Sequence, residues 1–418
     1  MSEKTVDFKG IIAKQKDAAS YMVKEITHIC KTFGKRDPGS EGEKKACEYM
    51  ADVLKKDCGC ERADVESFKE HPGSFFGWIF YTITLVLLSV VLFFFFPLLS
   101  VIFIVLGLLL AFLQFGLYKK TLDPLFKEKT GHNVTAIKKC TGETKRRIMF
   151  NGHPDAAWEW PVNYALGGVG FESHAIICAV GAVYYIIVSI IYMAQYGIGF
   201  SAADTSVPVV KAGLVGLIFV PFLFGLYFMV NYNRVVDGAN DNLSGCYMGI
   251  AILKYMKDAG IELENTEIGV VLTGSEEAGL RGAKAWCEAH KGEFDDVPTF
   301  IFSYDTIHDP KYLMTNYRDL NGTVAADKDV SDLFMEACAE LDIHCLKGMV
   351  PPLGGATDSA AFAQAGFRAT GVTGLNHKLE SYYHTRRDSY DNMNEEGLAK
   401  CFAASVKALE MFDNGAKQ

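Results

Sequence analysis

The stretch EIGVVLTGSEEAGL, residues 267–280, decides how this chain is read. Ile268 to Leu272 is a short apolar run rich in β-branched residues, the pattern of a buried strand. Thr273-Gly274-Ser275 follows, and then two adjacent carboxylates, Glu276-Glu277. A strand ending this way delivers both side chains to the mouth of a sheet. One can bind a metal while the other moves a proton. Glutamate pairs at helix starts are common on surfaces, but the apolar run behind this one argues for burial.

Strand and helix signals alternate around it. Strands are expected at His132 to Lys138, Arg147 to Asn151, Glu267 to Leu272, Thr299 to Tyr304 and Ala369 to Thr373. Helices are expected at Phe8 to Phe33, Leu243 to Met256, Ala278 to His290, Val330 to Glu340 and Glu395 to Met411. Ser40 is read as the N-cap of a further helix, with Glu43 completing a capping box. Such alternation predicts an α/β fold, a three-layer sandwich with a mostly parallel central sheet. Ligands of such sheets gather at the carboxyl ends of the strands.

Four more metal-capable residues stand at comparable places. His153 and Asp155 follow the strand at Arg147; residues i and i+2 of an extended chain point the same way, so Asp155 is placed to orient His153. Asp241 lies in the small-residue turn Gly238-Ala-Asn-Asp-Asn-Leu-Ser-Gly245 and can also cap the next helix. Asp305 ends the strand at Thr299. His384 stands in Tyr382-Tyr383-His384-Thr385, with Asp388 four residues later. Each is ordinary alone, but five potential ligands after strands or beside Gly-rich turns, Glu277 among them, describe a two-metal hydrolase site. Two imidazoles and three carboxylates suit two Zn2+ ions, with Co2+ or Mn2+ as substitutes. Asp241 is the carboxylate the two ions would share. Glu276, beside Glu277, is the candidate general base. Cys58-Gly-Cys60 lacks partner histidines and is read as structural.

With these residues in view, the chain resembles the co-catalytic zinc exopeptidases of metallopeptidase family 28, which includes aminopeptidases, glutamate carboxypeptidases and glutaminyl cyclases. The matches run in family order: His153-Pro-Asp155, Gly238-Ala-Asn-Asp241, Glu276-Glu277, Asp305, and Tyr383-His384-Thr385 with Asp388. Pro38-Gly39-Ser40-Glu41-Gly42-Glu43 resembles the opening of the family domain. Thr357-Asp358-Ser359-Ala360-Ala361-Phe362 resembles a late family segment, with Ser359 in place of a histidine. The resemblance implies one zinc on His153, Asp241 and Asp305 and another on Asp241, Glu277 and His384. It also implies Glu276 as base, Asp155 as the partner of His153, and a cis peptide at Asp241-Asn242.

Long apolar segments interrupt this pattern. The 418-residue chain is 50% hydrophobic, the upper edge for a soluble protein. No charged residue occurs from Ser74 to Tyr118, enough for two bilayer crossings of about 20 residues, with Pro97 suited to the turn. A second pair is read at Ala175 to Tyr196 and Ala212 to Val230, with Ser201 to Ser206 as the polar turn. The expected architecture is a discontinuous zinc exopeptidase-like catalytic domain at 1–73, 119–173 and 232–418. Transmembrane hairpins are expected at 74–118 and 174–231.

Lys119-Lys120 and Arg234 flank the hairpins on one side, so the positive-inside tendency places the catalytic segments in the cytoplasm. Eleven cysteines without framework spacing fit a reducing compartment. The N-terminal region is too polar for a signal peptide. A net charge of −9 argues against nucleic acid as a partner.

The expected function is a membrane-anchored dizinc aminopeptidase acting on peptide substrates, with the lipid bilayer as a partner and no nucleic acid. Its substrates are expected to be membrane-derived peptides. The alternatives are a carboxypeptidase or glutaminyl cyclase on the same scaffold, and a catalytically dead membrane receptor or scaffold.

Overall fold

The computed structural model describes residues 7–199, 204–352, 354–376 and 380–417. The chain divides into two compact units. The first comprises Met1–Pro72, Glu128–Trp158 and Asn233–Gln418, and the second Gly73–Lys127 and Glu159–Tyr232.

The first unit is built on a mixed sheet of nine strands. They are β1 (Arg62–Glu70), β2 (Lys129–Lys138), β3 (Arg146–Gly152), β4 (Thr266–Thr273), β5 (Thr299–Ile307), β6 (Leu313–Asp319), β7 (Val324–Ala325), β8 (Leu346–Met349) and β9 (Arg368–Gly374). The spatial order is β1-β2-β4-β3-β5-β9-β6-β8, with β7 on β6. The central four, β4, β3, β5 and β9, run parallel. β1, β2 and β6 run antiparallel to their inner neighbours. Central strands buried on both faces read as continuous apolar runs, which is why they were legible.

Eight helices cover the sheet: α1 (Phe8–Ala13), α2 (Gln15–Thr32), α3 (Glu41–Lys56), α4 (Ser244–Asp258), α5 (Arg281–Ala289), α6 (Lys328–Glu340), α7 (Asp358–Gln364) and α8 (Glu395–Asp413). α2, α4 and α8 pack together on one face, while α5 and α7 pack together on the other. The first face is apolar: the Phe150 and Phe302 rings stack at 6.4 Å. The second carries a polar row in which Ser303 donates to Asn151 Oδ1 (2.6 Å) and Asn151 Nδ2 to Thr273 Oγ1 (2.7 Å).

Several expected boundaries shift. The single N-terminal helix is two, parted at Lys14. The helix expected from Ala278 starts at Arg281, because Ser275, Gly279 and Leu280 all hold positive φ. β1 and β6 carry no continuous apolar run and were not foreseen. Ser40 does cap α3, accepting the Glu43 N–H at 3.2 Å. The capping box is incomplete, however. The Glu43 carboxylate accepts the N–H of Gly39 (2.6 Å) instead, and the Ser40 N–H goes to the Asp37 carbonyl.

Among the described residues, the second unit contains four helices long and apolar enough to cross a membrane: Gly73–Phe93, Pro97–Gly116, Pro161–Tyr196 and Pro208–Phe228. Pro97 takes the first helical turn of its helix, where a missing N–H costs nothing. The third helix starts before the expected Ala175 and is broken at Gly167 (φ 68°, ψ −179°). Part of the expected Ser201–Ser206 turn lies outside the described residues. Inside the unit, helices meet through small and hydroxyl residues, the usual glue of apolar bundles. Thr82 donates to the Gly107 carbonyl (2.9 Å), Ser189 to Ser100 (3.2 Å) and Tyr185 to the Gly213 carbonyl (3.0 Å). Val105, Ile187 and Phe112 face outward, as lipid-facing side chains would.

Candidate metal centre

The expected residues meet at the carboxyl ends of β3, β4 and β5. β3 ends at Gly152 and passes directly into His153. A side chain at Gly152 would meet the Cys246 nitrogen at 2.4 Å; its absence lets the start of α4 settle on the strand end. Asp241 lies in the turn just before α4, and its bond to Asn242 is cis. Asn242 ties this turn to β5, donating to the Tyr304 carbonyl at 2.7 Å and accepting the Thr306 N–H at 3.3 Å.

One donor atom from each of His153, Asp241 and Asp305 lies within 4.8 Å of the others, and the same holds for Asp241, Glu277 and His384. Asp241 belongs to both groups. His153 Nε2 is 3.3 Å from Asp241 Oδ1 and 3.8 Å from Glu276 Oε2. His384 Nε2 is 3.1 Å from Asp241 Oδ2 and 3.2 Å from Glu277 Oε1. The Tyr383 ring stacks on His384 at 4.1 Å and fixes its plane. The side chains of His153, Asp241, Glu276, Glu277, Asp305 and His384 are all buried.

Asp155 faces His153 Nδ1 at 3.3 Å, and it also accepts the backbone N–H groups of Glu276 (3.1 Å) and Glu277 (3.0 Å). Asp388 plays the matching part for the Asp241 turn, accepting the N–H groups of Asn240 (2.8 Å) and Asp241 (3.2 Å).

The electrostatics are those of a site short of positive charge. Burial raises the Glu276 and Asp305 carboxyls well above the usual range, and carboxylate neighbours push the same way. Burial would also raise Asp241, but the imidazoles of His153 and His384 hold it below its ordinary value. Burial would lower His384, yet Glu277 and Asp241 lift it to about 10. Burial lifts Asp358 and Asp388 to about 7.

Divalent cations fit these residues. Both ring nitrogens of His153, Asp241 Oδ2 and Glu277 Oε1 are buried and make no hydrogen bond. A buried polar atom left so is costly unless something binds it. The mixed imidazole and carboxylate donors suit zinc-like ions.

Residues the sequence reading missed hold the site together. Arg36 is fully buried, donating Nε to the Pro154 carbonyl (2.8 Å) and Nη2 to the carbonyls of Asp237 (2.6 Å) and Gly238 (3.2 Å). It joins the His153 segment to the Asp241 turn. Thr273 donates to Asp358, which stands at the start of α7. Ser359 donates to Asp319 at 2.6 Å and so has a structural partner where the family pattern has a histidine. The one local signal for Glu43 was its place on the apolar face of α3, in step with Ala46, Cys47, Met50 and Leu54.

Residues 227–409 match the model of Peptidase family M28. The fold is shared with an aminopeptidase from Aneurinibacillus sp. strain AM-1, at 15% identity and TM-score 0.56, over 96% of this chain and 95% of that one. It is shared with a zinc aminopeptidase from Bacillus subtilis at 13% identity and TM-score 0.54, over 94% and 95% of the two chains. A glutaminyl cyclase from Porphyromonas gingivalis is similar at 12% identity and TM-score 0.52, over 95% and 98%. No curated protein matches the sequence. The match over residues 227–409 agrees with the family resemblance carried by the motifs, and the structural neighbours share the fold.

Proposed function

We propose that this chain is a membrane-anchored dizinc exopeptidase, an aminopeptidase that removes N-terminal residues from peptides. The observation that carries the reading is the pair of donor groups sharing Asp241, with Glu276 beside them. His153, Asp241 and Asp305 would hold one zinc, and Asp241, Glu277 and His384 the other. Bound there, the ions would supply Lewis acidity toward a peptide carbonyl and ease deprotonation of water.

The remaining work falls to the protein. Glu276 takes the proton of the attacking water and delivers it to the departing amine. Asp155 keeps the His153 ring in place and, through its two backbone contacts, aims Glu276. Closely packed walls hold these groups where the reaction needs them.

Electrostatic balance supports an aminopeptidase over a carboxypeptidase. Around the candidate ligands lie the further buried acids Glu43, Glu70, Glu276, Asp358 and Asp388. Such surroundings suit an ammonium and repel a terminal carboxylate. The four long apolar helices support anchoring in a bilayer, and the flanking lysines support a catalytic unit facing the cytoplasm. Placement of an apolar segment between Asp155 and Asp241 in sequence supports peptide substrates that come from the membrane.

Turnover of a panel of free and N-blocked dipeptides by the zinc-loaded full chain tests this. Release of the N-terminal residue from free peptides alone is expected. Cleavage of N-blocked peptides at the C-terminus, or cyclisation of N-terminal glutamine without hydrolysis, would overturn it.

A further inference from the structure

Ser275 stands just before the carboxylate pair in a left-handed conformation, φ 58° and ψ 37°. Its carbonyl accepts the Arg281 N–H at 3.1 Å and so helps start α5. Its hydroxyl lies between two acids: Glu70 Oε1 at 2.6 Å and Glu43 Oε2 at 3.0 Å. All three residues are buried. Glu43 is fixed in turn by the N–H groups of Gly39 (2.6 Å) and His132 (2.9 Å). Glu70 is packed tightly: a Cβ at Gly39 would meet its Oε1 at 2.8 Å, and one at Gly131 at 3.0 Å.

Two neighbouring acids buried around one hydroxyl are costly to keep. Their location gives them a use. Asp155 holds the Glu276 and Glu277 amides from one side, and the Ser275 hydroxyl is pinned from the other. Glu70 is also the last residue of β1, opposite Lys129 at the start of β2. Between these rungs the chain makes its first apolar excursion, Gly73–Lys127.

The geometry points to Ser275, Glu43 and Glu70 as positioning residues for the Glu276–Glu277 turn. This rests on the proposed peptidase function. The brace touches no substrate. It sets where the Glu276 carboxylate stands, and a misplacement of about 1 Å can cost about a hundredfold in rate.

The test uses the full chain in detergent, zinc-loaded, as wild type, Ser275→Ala, Glu70→Ala and Glu70→Gln. Ser275→Ala and Glu70→Ala are expected to lower kcat about ten- to a hundredfold with KM within about twofold. Zinc content and melting temperature are expected to match wild type. Glu70→Gln keeps an oxygen facing Ser275 and should recover most of the rate. Rates near wild type in both alanine variants, or a loss accompanied by lost zinc, would overturn the brace. A wild type that cleaves no peptide would defeat the functional reading, and the brace is then judged by amide hydrogen exchange. Faster exchange at Glu276 and Glu277 in the alanine variants supports it, and unchanged exchange overturns it.

Discussion

Asp155 accepts the backbone N–H of Glu277 at 3.0 Å, although its expected partner was His153. It meets both: Oδ1 lies 3.3 Å from His153 Nδ1. One carboxylate therefore sets the imidazole after β3 and the carboxylate pair after β4. Asp155→Asn should weaken zinc binding or turnover by about 10- to 100-fold. Competition with a chelator and steady-state rates would measure it. Values within about twofold of wild type would show that the contact is incidental.

Glu276 Oε2 lies 3.8 Å from His153 Nε2, and Glu276 belongs to neither donor group. Glu276→Gln should keep its zinc and lose about 10²- to 10⁴-fold in kcat. Asp241→Asn should lose zinc as well. Metal analysis and rate on the same preparations separate the two roles. A Glu276→Gln enzyme near the wild-type rate would end the assignment of Glu276 as base.

Much of this was legible in the sequence. The central strands and three of the five donor residues announce themselves locally, because a buried parallel strand is apolar and His153, Glu277 and Asp305 stand at or just after such a strand. The second layer of the site was not legible. Arg36, Glu43, Glu70 and Asp358 act across long sequence distances, so their immediate neighbours do not disclose which residues they meet. β1 was hidden because an edge strand carries charges, as Arg62, Asp64, Glu66 and Lys69 do. The late start of α5 was hidden because three left-handed residues occupy a stretch whose composition suits a helix.

His290 lies 2.8 Å from Glu66 and also meets Glu293. Burial would lower its pKa, but the two carboxylates raise it above the ordinary 6.5. A raised folded-state pKa means stabilisation that is full below about 6.5 and lost as pH rises through the folded value. The melting-temperature gap between wild type and His290→Gln should therefore narrow as pH rises above 6.5. A gap that widens with pH would contradict the ion-pair account.

Cys140 and Cys345 are partly exposed in the first unit, while most other cysteines are buried. The proposed cytoplasmic orientation predicts that a membrane-impermeant maleimide labels them only after the cells are permeabilised. Mass spectrometry of the two peptides reads this directly. Labelling of intact cells would reverse the orientation.

The central claim is that His153, Asp241, Glu277, Asp305 and His384 converge on a pair of cations. Zinc bound per chain, counted in purified full-length protein after dialysis against trace metal, tests it most directly. The account predicts two zinc ions in the wild type and neither retained in Asp241→Asn. A wild type that keeps one ion or none, or an Asp241→Asn variant that keeps both, would contradict it.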